Sequence, residues 1–312
     1  MDIHQLRISL AETLERTKFA GKAYFVGGAV RDLLIHRQTP EYDITVELPE
    51  GGIKLAQFLH KELPASNLLV YPKFGTASLV WQGTRLDFVM TRSEVYRPGN
   101  RNPKVQFASL PDDVMRRDFG INALLLSVSG GNLLDLSRRG LKDLHEGVIR
   151  TLGEPGKVFA EDPVRMLRAI RFSASLGFVI DPETWQGLLD SACLINTLSQ
   201  TQITAEFARI MVSSPSPHLG NRNEAEGEAV TRGFGLLLES GIMDCIVPEQ
   251  QKKLEILSEK RFSLTPQELL DYFGHLDNSR MGKMMKIAKE YWFDHPDISK
   301  ESILSYLKEQ DQ

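Results

Sequence analysis

A glycine turn between a strand and a helix, with an acidic strand close behind it, constrains this chain more than any other feature. The stretch is Tyr24-Phe25-Val26-Gly27-Gly28-Ala29-Val30-Arg31-Asp32, followed by Glu41-Tyr42-Asp43-Ile44-Thr45-Val46. It predicts strand, turn, short helix and second strand. Side chains alternate across a strand, so Glu41 and Asp43 share one face and Tyr42 and Ile44 the other. Same-face carboxylates are disfavoured unless positive charge compensates them. The helix start beside them offers backbone N–H groups to anions, and Arg31 adds a guanidinium one turn beyond Gly28. These parts suit a divalent metal held together with a polyphosphate. A third carboxylate comes from Thr84-Arg85-Leu86-Asp87-Phe88-Val89-Met90-Thr91. Its alternation sets Asp87 and Val89 against Leu86, Phe88 and Met90.

The chain has 312 residues, of which 42% are hydrophobic and 25% charged. That is ordinary globular composition with room for two or more domains. No apolar run approaches the roughly 18 residues of a membrane span. Met1-Asp2-Ile3-His4-Gln5 lacks a basic-then-apolar leader pattern. Cys193 and Cys245 both lie in apolar stretches. They are expected to be buried thiols in a protein of the reducing cytoplasm. With a net charge of −4, a nucleic-acid partner would need local basic patches. The scattered histidines offer no zinc-ligand spacing.

Strands are predicted at 22–27, 42–48, 67–71, 75–81, 84–91, 121–127 and 132–135, with helices near 28–37, 52–62 and 111–117. From about 155 strand signals vanish. Helical periodicity takes over at 162–176, 182–197, 201–213, 228–244, 249–260, 266–274, 279–293 and 299–309. The change near 151–160 predicts a domain boundary. Residues 214–227, rich in Pro, Ser, Gly and Asn, read as a loop or linker.

Two more clusters carry chemistry. In Arg116-Arg117-Asp118-Phe119-Gly120-Ile121-Asn122-Ala123 the arginines suit phosphates, and Asp118 and Asn122 suit a sugar or a neighbouring loop. A basic helix end capped by Asp118 explains the same residues, and both readings stand. In Glu161-Asp162-Pro163-Val164-Arg165-Met166-Leu167-Arg168-Ala169-Ile170-Arg171, Asp162 and Arg165 lie one turn apart. Together they offer an acceptor and a forked donor, matching the edges of C and A better than those of G and U. Arg168 and Arg171 would extend the positive face toward phosphates. Here the alternative is a solvated helix face with Asp162 as its cap.

These blocks together resemble the class II tRNA nucleotidyltransferases, the group of bacterial CCA-adding enzymes and bacterial poly(A) polymerases. The motifs run from about Lys22 to Arg171 in the family's order. The resemblance implies an α+β fold. A nucleotidyltransferase head of the DNA polymerase beta-like kind, with a mixed β-sheet, would span 1–153. An all-α remainder would follow, as neck over 154–213 and a shortened body and tail over 214–312. It implies template-independent addition of CMP, AMP or both to the tRNA 3′ end, from CTP and ATP with two Mg2+ ions. Glu41, Asp43 and Asp87 would hold the metals. Gly28, Arg31 and Arg117 would hold the triphosphate, with Asp118 and Asn122 beside them. Asp162, Arg165, Arg168 and Arg171 would read and flank the base. The segment 92–108 takes the family's flexible-loop position, and Arg97, Arg101 and Lys104 on it, with Lys283 and Lys286 near the end, are candidate RNA contacts. Lys252, Lys253, Lys260, Arg261, Arg280 and Lys289 extend that candidate set. No membrane or protein partner is expected. The family usually has aspartate where Glu41 stands and threonine where Gly120 stands. A poly(A) polymerase and a catalytically weak RNA-binding homologue are the alternatives.

Overall fold

The computed structural model describes residues 2–37, 39, 41–97, 100–211, 222–246, 264–274, 278–295 and 298–310. Seven strands make one sheet: β1 Ala23–Val26, β2 Glu41–Val46, β3 Ser66–Tyr71, β4 Thr76–Trp81, β5 Thr84–Met90, β8 Leu125–Ser127 and β9 Leu133–Leu134. Their spatial order is β3-β4-β5-β2-β1-β8-β9. β2 and β5 run parallel, and every other neighbouring pair runs antiparallel.

One face of this sheet is apolar. Tyr42, Ile44 and Val46 alternate inward from β2, meeting Leu86 and Phe88 of β5 and Leu79 and Trp81 of β4. Helix α1, Ile3–Leu14, supplies buried Leu6, Leu10 and Leu14, spaced four apart. Its first turn is capped by Asp2, whose carboxylate accepts from the His4 and Gln5 N–H groups. Helix α3, Gly51–Glu62, lays Leu55, Ala56 and Leu59 on β2 to β5. It approaches so closely that a Cβ on Gly52 would come within 2.8 Å of the Val89 backbone. Each fully buried leucine contributes about 1.5–3 kcal/mol. Helix α2, Gly28–Leu34, follows β1 directly. The opposite sheet face, carrying Glu41, Asp43 and Asp87, is left for chemistry.

Strands β6, Arg92–Arg97, and β7, Asn100–Phe107, pair as a separate hairpin over the segment expected to be a loop. Then come α4 Leu110–Met115, α5 Gly140–Glu146 and β10 Val148–Ile149. The helical remainder holds α6 Pro155–Glu161, α7 Val164–Leu176, α8 Pro182–Ser191, α9 Gln200–Met211, α10 Arg222–Glu239, α11 Ile242–Cys245, α12 Pro266–Phe273, α13 Asn278–Asp294 and α14 Lys300–Gln310. One apolar cluster continues from the sheet through these helices to Leu307.

Several expectations need correction. A short strand β11, Val179–Ile180, does occur beyond 155, paired parallel with β10. The strand expected over 121–127 begins at Leu125, because Gly120–Asn122 form a 3-10 turn. Helix α6, Pro155–Glu161, was not expected; it ends before Pro163, which has no N–H to donate and stands at the start of α7, the helix expected over 162–176. Part of the expected 214–227 linker is helical, since α10 begins at Arg222. The helix expected at 249–260 lies outside the described residues. Cys193 and Cys245 are not buried thiols: they form a disulfide, with Cys193 exposed and Cys245 half-buried. Their meeting depends on α11 returning to the 3-10 segment Ala192–Thr197, a tertiary contact that local apolarity does not reveal.

Candidate active site

The site forms where β1 stops. Gly27 has φ +68°, a left-handed conformation that suits glycine, and α2 starts at the next residue. Val26 pairs with Asp43, which brings the turn beside the acidic strand. A Cβ placed on Gly27 would lie 3.8 Å from Asp43 Oδ2 and 3.9 Å from Arg117 Nη1. A carboxylate and a guanidinium therefore converge on the bare backbone of the turn.

Parallel pairing sets Asp87 directly beside Asp43, and Arg85 beside Glu41. Alternation then puts Glu41, Asp43 and Asp87 on one face, as expected. Asp43 is open to solvent yet walled by protein. Lost hydration, then the charges of Asp87 and Glu41, push its carboxyl up to about 6 against the pull of Arg117 and Arg168. Asp87 is turned onto Arg85, which donates from Nη2 and Nε to Asp87 Oδ1 at 3.0 and 3.2 Å. Among the described residues no three acidic, histidine or cysteine side chains close into a metal cage. Mg2+ needs no such cage, since it usually takes one or two carboxylates plus water and substrate phosphates. The hard oxygens of Glu41 and Asp43 fit that ion, and a cation would relieve the repulsion that raises Asp43.

Arg117 is held from behind by Asp113, a residue the motif reading passed over. Asp113 is fully buried on α4 and accepts from Arg117 Nη2 at 2.9 Å and Arg116 Nη2 at 2.6 Å. Burial alone would raise its carboxyl, but Arg117 and Arg116 outweigh that and hold it below the ordinary range. The signal was legible, because Asp113 lies three and four residues before the two arginines. Glu47 secures the helix by accepting from the Leu110 N–H at 3.0 Å. Arg117 Nε is buried and has no acceptor among the described residues, a donor suited to an anion.

The other motif residues bond mainly to one another. Arg31 is buried. Its Nε donates to Asp32 Oδ1 and its Nη1 to Asn122 Oδ1, both at 2.8 Å. Asn122 donates to Asp118, and Asp118 accepts from Arg168 Nε at 2.8 Å. Burial pushes Asp118 upward, yet Arg168 and these hydrogen bonds keep its carboxyl below normal. Arg171 donates to Glu206 on α9 at 2.8 Å. The guanidinium carbons of Arg31, Arg168 and Arg171 stand 5.0, 5.2 and 4.3 Å from the Phe172 ring centre. Arg31, Asp118, Asn122, Arg168 and Arg171 thus form a brace between α2, the 3-10 turn, α7 and α9, and for Asp118 and Asn122 the bonding to neighbouring segments is the one seen. Only the Arg31 Nη2 reaches the turn, 3.4 Å from a Cβ built on Gly28.

Asp162 and Arg165 do not pair. Asp162 accepts from the Val164 N–H at 3.2 Å. Arg165 donates to Glu161 at 3.3 Å and to the Arg116 carbonyl at 2.9 Å. It lines a cavity of about 340 Å³ together with Arg116, Arg117, Lys157, Val158 and Glu161.

The comparisons with known proteins meet on this arrangement. The family profile described as the poly A polymerase head domain matches residues 23–150. A CCA-adding enzyme of Geobacillus sp. (strain WCH70) is 32% identical over 262 residues, covering 83% of this chain and 58% of that enzyme. One from Lactobacillus gasseri is 31% identical over 285 residues, covering 88% of this chain and 66% of that enzyme. The chain belongs to the class II tRNA nucleotidyltransferase family. It spans about half to two thirds of the curated relatives it matches. A solved tRNA-processing enzyme in an apo form covers 98% of this chain and 77% of its own, at 26% identity and TM-score 0.65. A tRNA nucleotidyltransferase complexed with a primer tRNA and an incoming ATP analogue covers 89% and 68%, at 25% identity and TM-score 0.59.

One departure from the nucleotidyltransferase pattern has a physical reason. A Cβ on Gly120 would lie 2.3 Å from Asp143 Oδ2. Asp143 is fully buried and tied to Arg150, so threonine has no room there. The candidate RNA contacts Arg97, Arg101, Lys104 and Lys286 have side chains outside those described, as does Lys289. Lys252, Lys253, Lys260 and Arg261 lie outside the described residues altogether. Lys283 and Arg280 are exposed on α13.

Proposed function

We propose that this chain is a Mg2+-dependent nucleotidyltransferase that adds CMP, AMP or both to the 3′ end of tRNA with release of pyrophosphate. The convergence of Asp43 Oδ2 and Arg117 Nη1 on the Gly27 turn carries this reading. The turn and the start of α2 receive the triphosphate, and Arg117, anchored by Asp113, neutralises it as pyrophosphate leaves. Glu41 and Asp43, joined by Asp87 once it leaves Arg85, would hold the divalent ions. When bound, those ions would polarise the phosphoryl oxygens and activate the attacking hydroxyl. The brace around Phe172 acts by positioning, keeping Arg31 against Gly28. Asp162 and Arg165 read the base, with Arg165 oriented by Glu161.

We further propose residues 1–153 as the head, 154–213 as the neck and 214–312 as body and tail, with the protein working in the cytoplasm. Among the described residues no helix is long and apolar enough to cross a membrane.

The test is incubation with tRNA lacking its terminal CCA, Mg2+ and each labelled nucleotide. C and A should be incorporated, and G and U poorly. Long A tails on generic RNA would favour a poly(A) polymerase. RNA binding without incorporation would favour the inactive homologue, a reading supported by the Arg85–Asp87 pair.

A further inference from the structure

In phosphoryl transfer the attacking and leaving oxygens lie roughly in line across the phosphorus. The turn and Arg117, which would take the leaving pyrophosphate, lie on the β1 side of β2. The acceptor must then approach from the other side of β2, over β5, β4 and β3. The strand registers fix what it meets there. One row across the carboxylate face runs Asp43, Asp87, Ser78, Leu69, with Ser78 buried between its larger neighbours. The next runs from buried Thr45 through Val89 and Thr76 to Tyr71.

The outer end of these rows is unusual. Leu68 and Val70 of β3 turn toward the core, while Leu69 is 52% and Tyr71 45% exposed on the carboxylate face. Arg85 lies on the same face in the row of Glu41, with 57% of its side chain exposed while it holds Asp87. An exposed aromatic ring and apolar neighbour on the face that also carries an exposed guanidinium suit stacked bases and a phosphodiester backbone.

We propose that the carboxylate face of β3 to β5 carries a track for the unpaired 3′ end of the RNA acceptor, with Tyr71 and Leu69 stacking a base and Arg85 meeting a backbone phosphate. This rests on the function proposed above. It adds a second role for Arg85: when Asp87 turns to a metal, the guanidinium it releases faces the incoming strand. Three strand spacings of about 4.8 Å separate Leu69 from Asp43, within reach of a few unpaired nucleotides.

Fluorescence anisotropy with an RNA hairpin carrying an unpaired 3′ end tests the track, with the whole chain, in the presence of Mg2+. Tyr71→Ala should weaken binding about tenfold, while Tyr71→Phe, which keeps the ring, stays near wild type. Arg85→Ala should reduce the log–log salt slope by about 0.7. Nucleotide affinity should be unchanged in both Tyr71 variants. RNA affinity and salt slope unchanged in both alanine variants would overturn the track. So would a changed oligomeric state with RNA affinity intact, which would make the face an interface between copies. Wild-type transfer with an unaltered acceptor KM in Tyr71→Ala overturns the track alone. Tyr71-dependent binding without any transfer supports it and removes the transferase reading. No RNA binding by the wild type removes both.

Discussion

Asp43 sets the pH behaviour of the site and opposes the stability of the fold around it. Its carboxyl is raised from 3.8 to about 6 in the folded chain. Between those values the native state binds the extra proton, so stability falls as pH rises through that window and the cost persists above it. Asp43→Asn should therefore raise the thermal midpoint at pH 7.5. That gain should fade as pH drops toward 4, while incorporation falls by several orders of magnitude. The wild-type rate should climb between pH 5 and 7 as Asp43 ionises, with a midpoint lowered by added divalent cation. A variant no more stable than wild type at pH 7.5, measured by calorimetry, would mean that Asp43 suffers no crowding by Asp87 and Glu41. The same logic assigns Gly120, where the fully buried Asp143 fills the space a side chain would need.

At the scale of elements, α4 carries the arginine that serves the turn, and Asp113 ties the two together. Removing one partner of a buried ionic group costs about 3–5 kcal/mol, because the others are left without compensation. Asp113→Ala should lose roughly 3 kcal/mol in urea unfolding at neutral pH and raise the KM for nucleotide more than it lowers kcat. Asp113 is held below 3.8, so its contribution is complete above that value and is lost as pH falls through its lower folded pKa. The deficit of the variant should shrink in that acid range, and an equal KM would show that Arg117 keeps its place without the anchor. Much of this arrangement could be read in advance. Alternation put Glu41, Asp43 and Asp87 on one face, and the glycine pair marked the turn. What escaped was partner choice. Arg31, Arg168 and Arg171 look like phosphate ligands until Asn122, Asp118 and Glu206 arrive from distant segments to take their hydrogen bonds. Arg165 stands one turn from Asp162, as the helical spacing implies, but its guanidinium also finds Glu161 and the Arg116 carbonyl, partners the base-reading pattern did not announce.

Across the whole molecule, the Cys193–Cys245 bond joins the stretch after α8 to α11 and closes a loop with a sequence separation of 52 residues. Local patterning pointed to two thiols, because nothing near either cysteine announces the other. A cross-link of that span removes chain entropy worth about 4 kcal/mol from the unfolded state. In a reducing compartment, such as the proposed cytoplasm, the continuous apolar cluster from Leu6 to Leu307 would carry the fold without the bond. Oxidised and reduced protein should then both be folded, with the oxidised form about 2–4 kcal/mol more stable in denaturant. Thiol titration before and after dithiothreitol would count the groups involved, and Cys193→Ser should match the reduced form under both conditions. Incorporation by the two forms should agree, since Asp43, Arg117 and the turn are braced through α2, α4 and α7, none of which the bond joins. Identical unfolding curves with and without reductant would show that the two sulfurs stay unlinked in solution. A drop in acceptor affinity on reduction would instead make the loop between α8 and α11 part of the RNA grip.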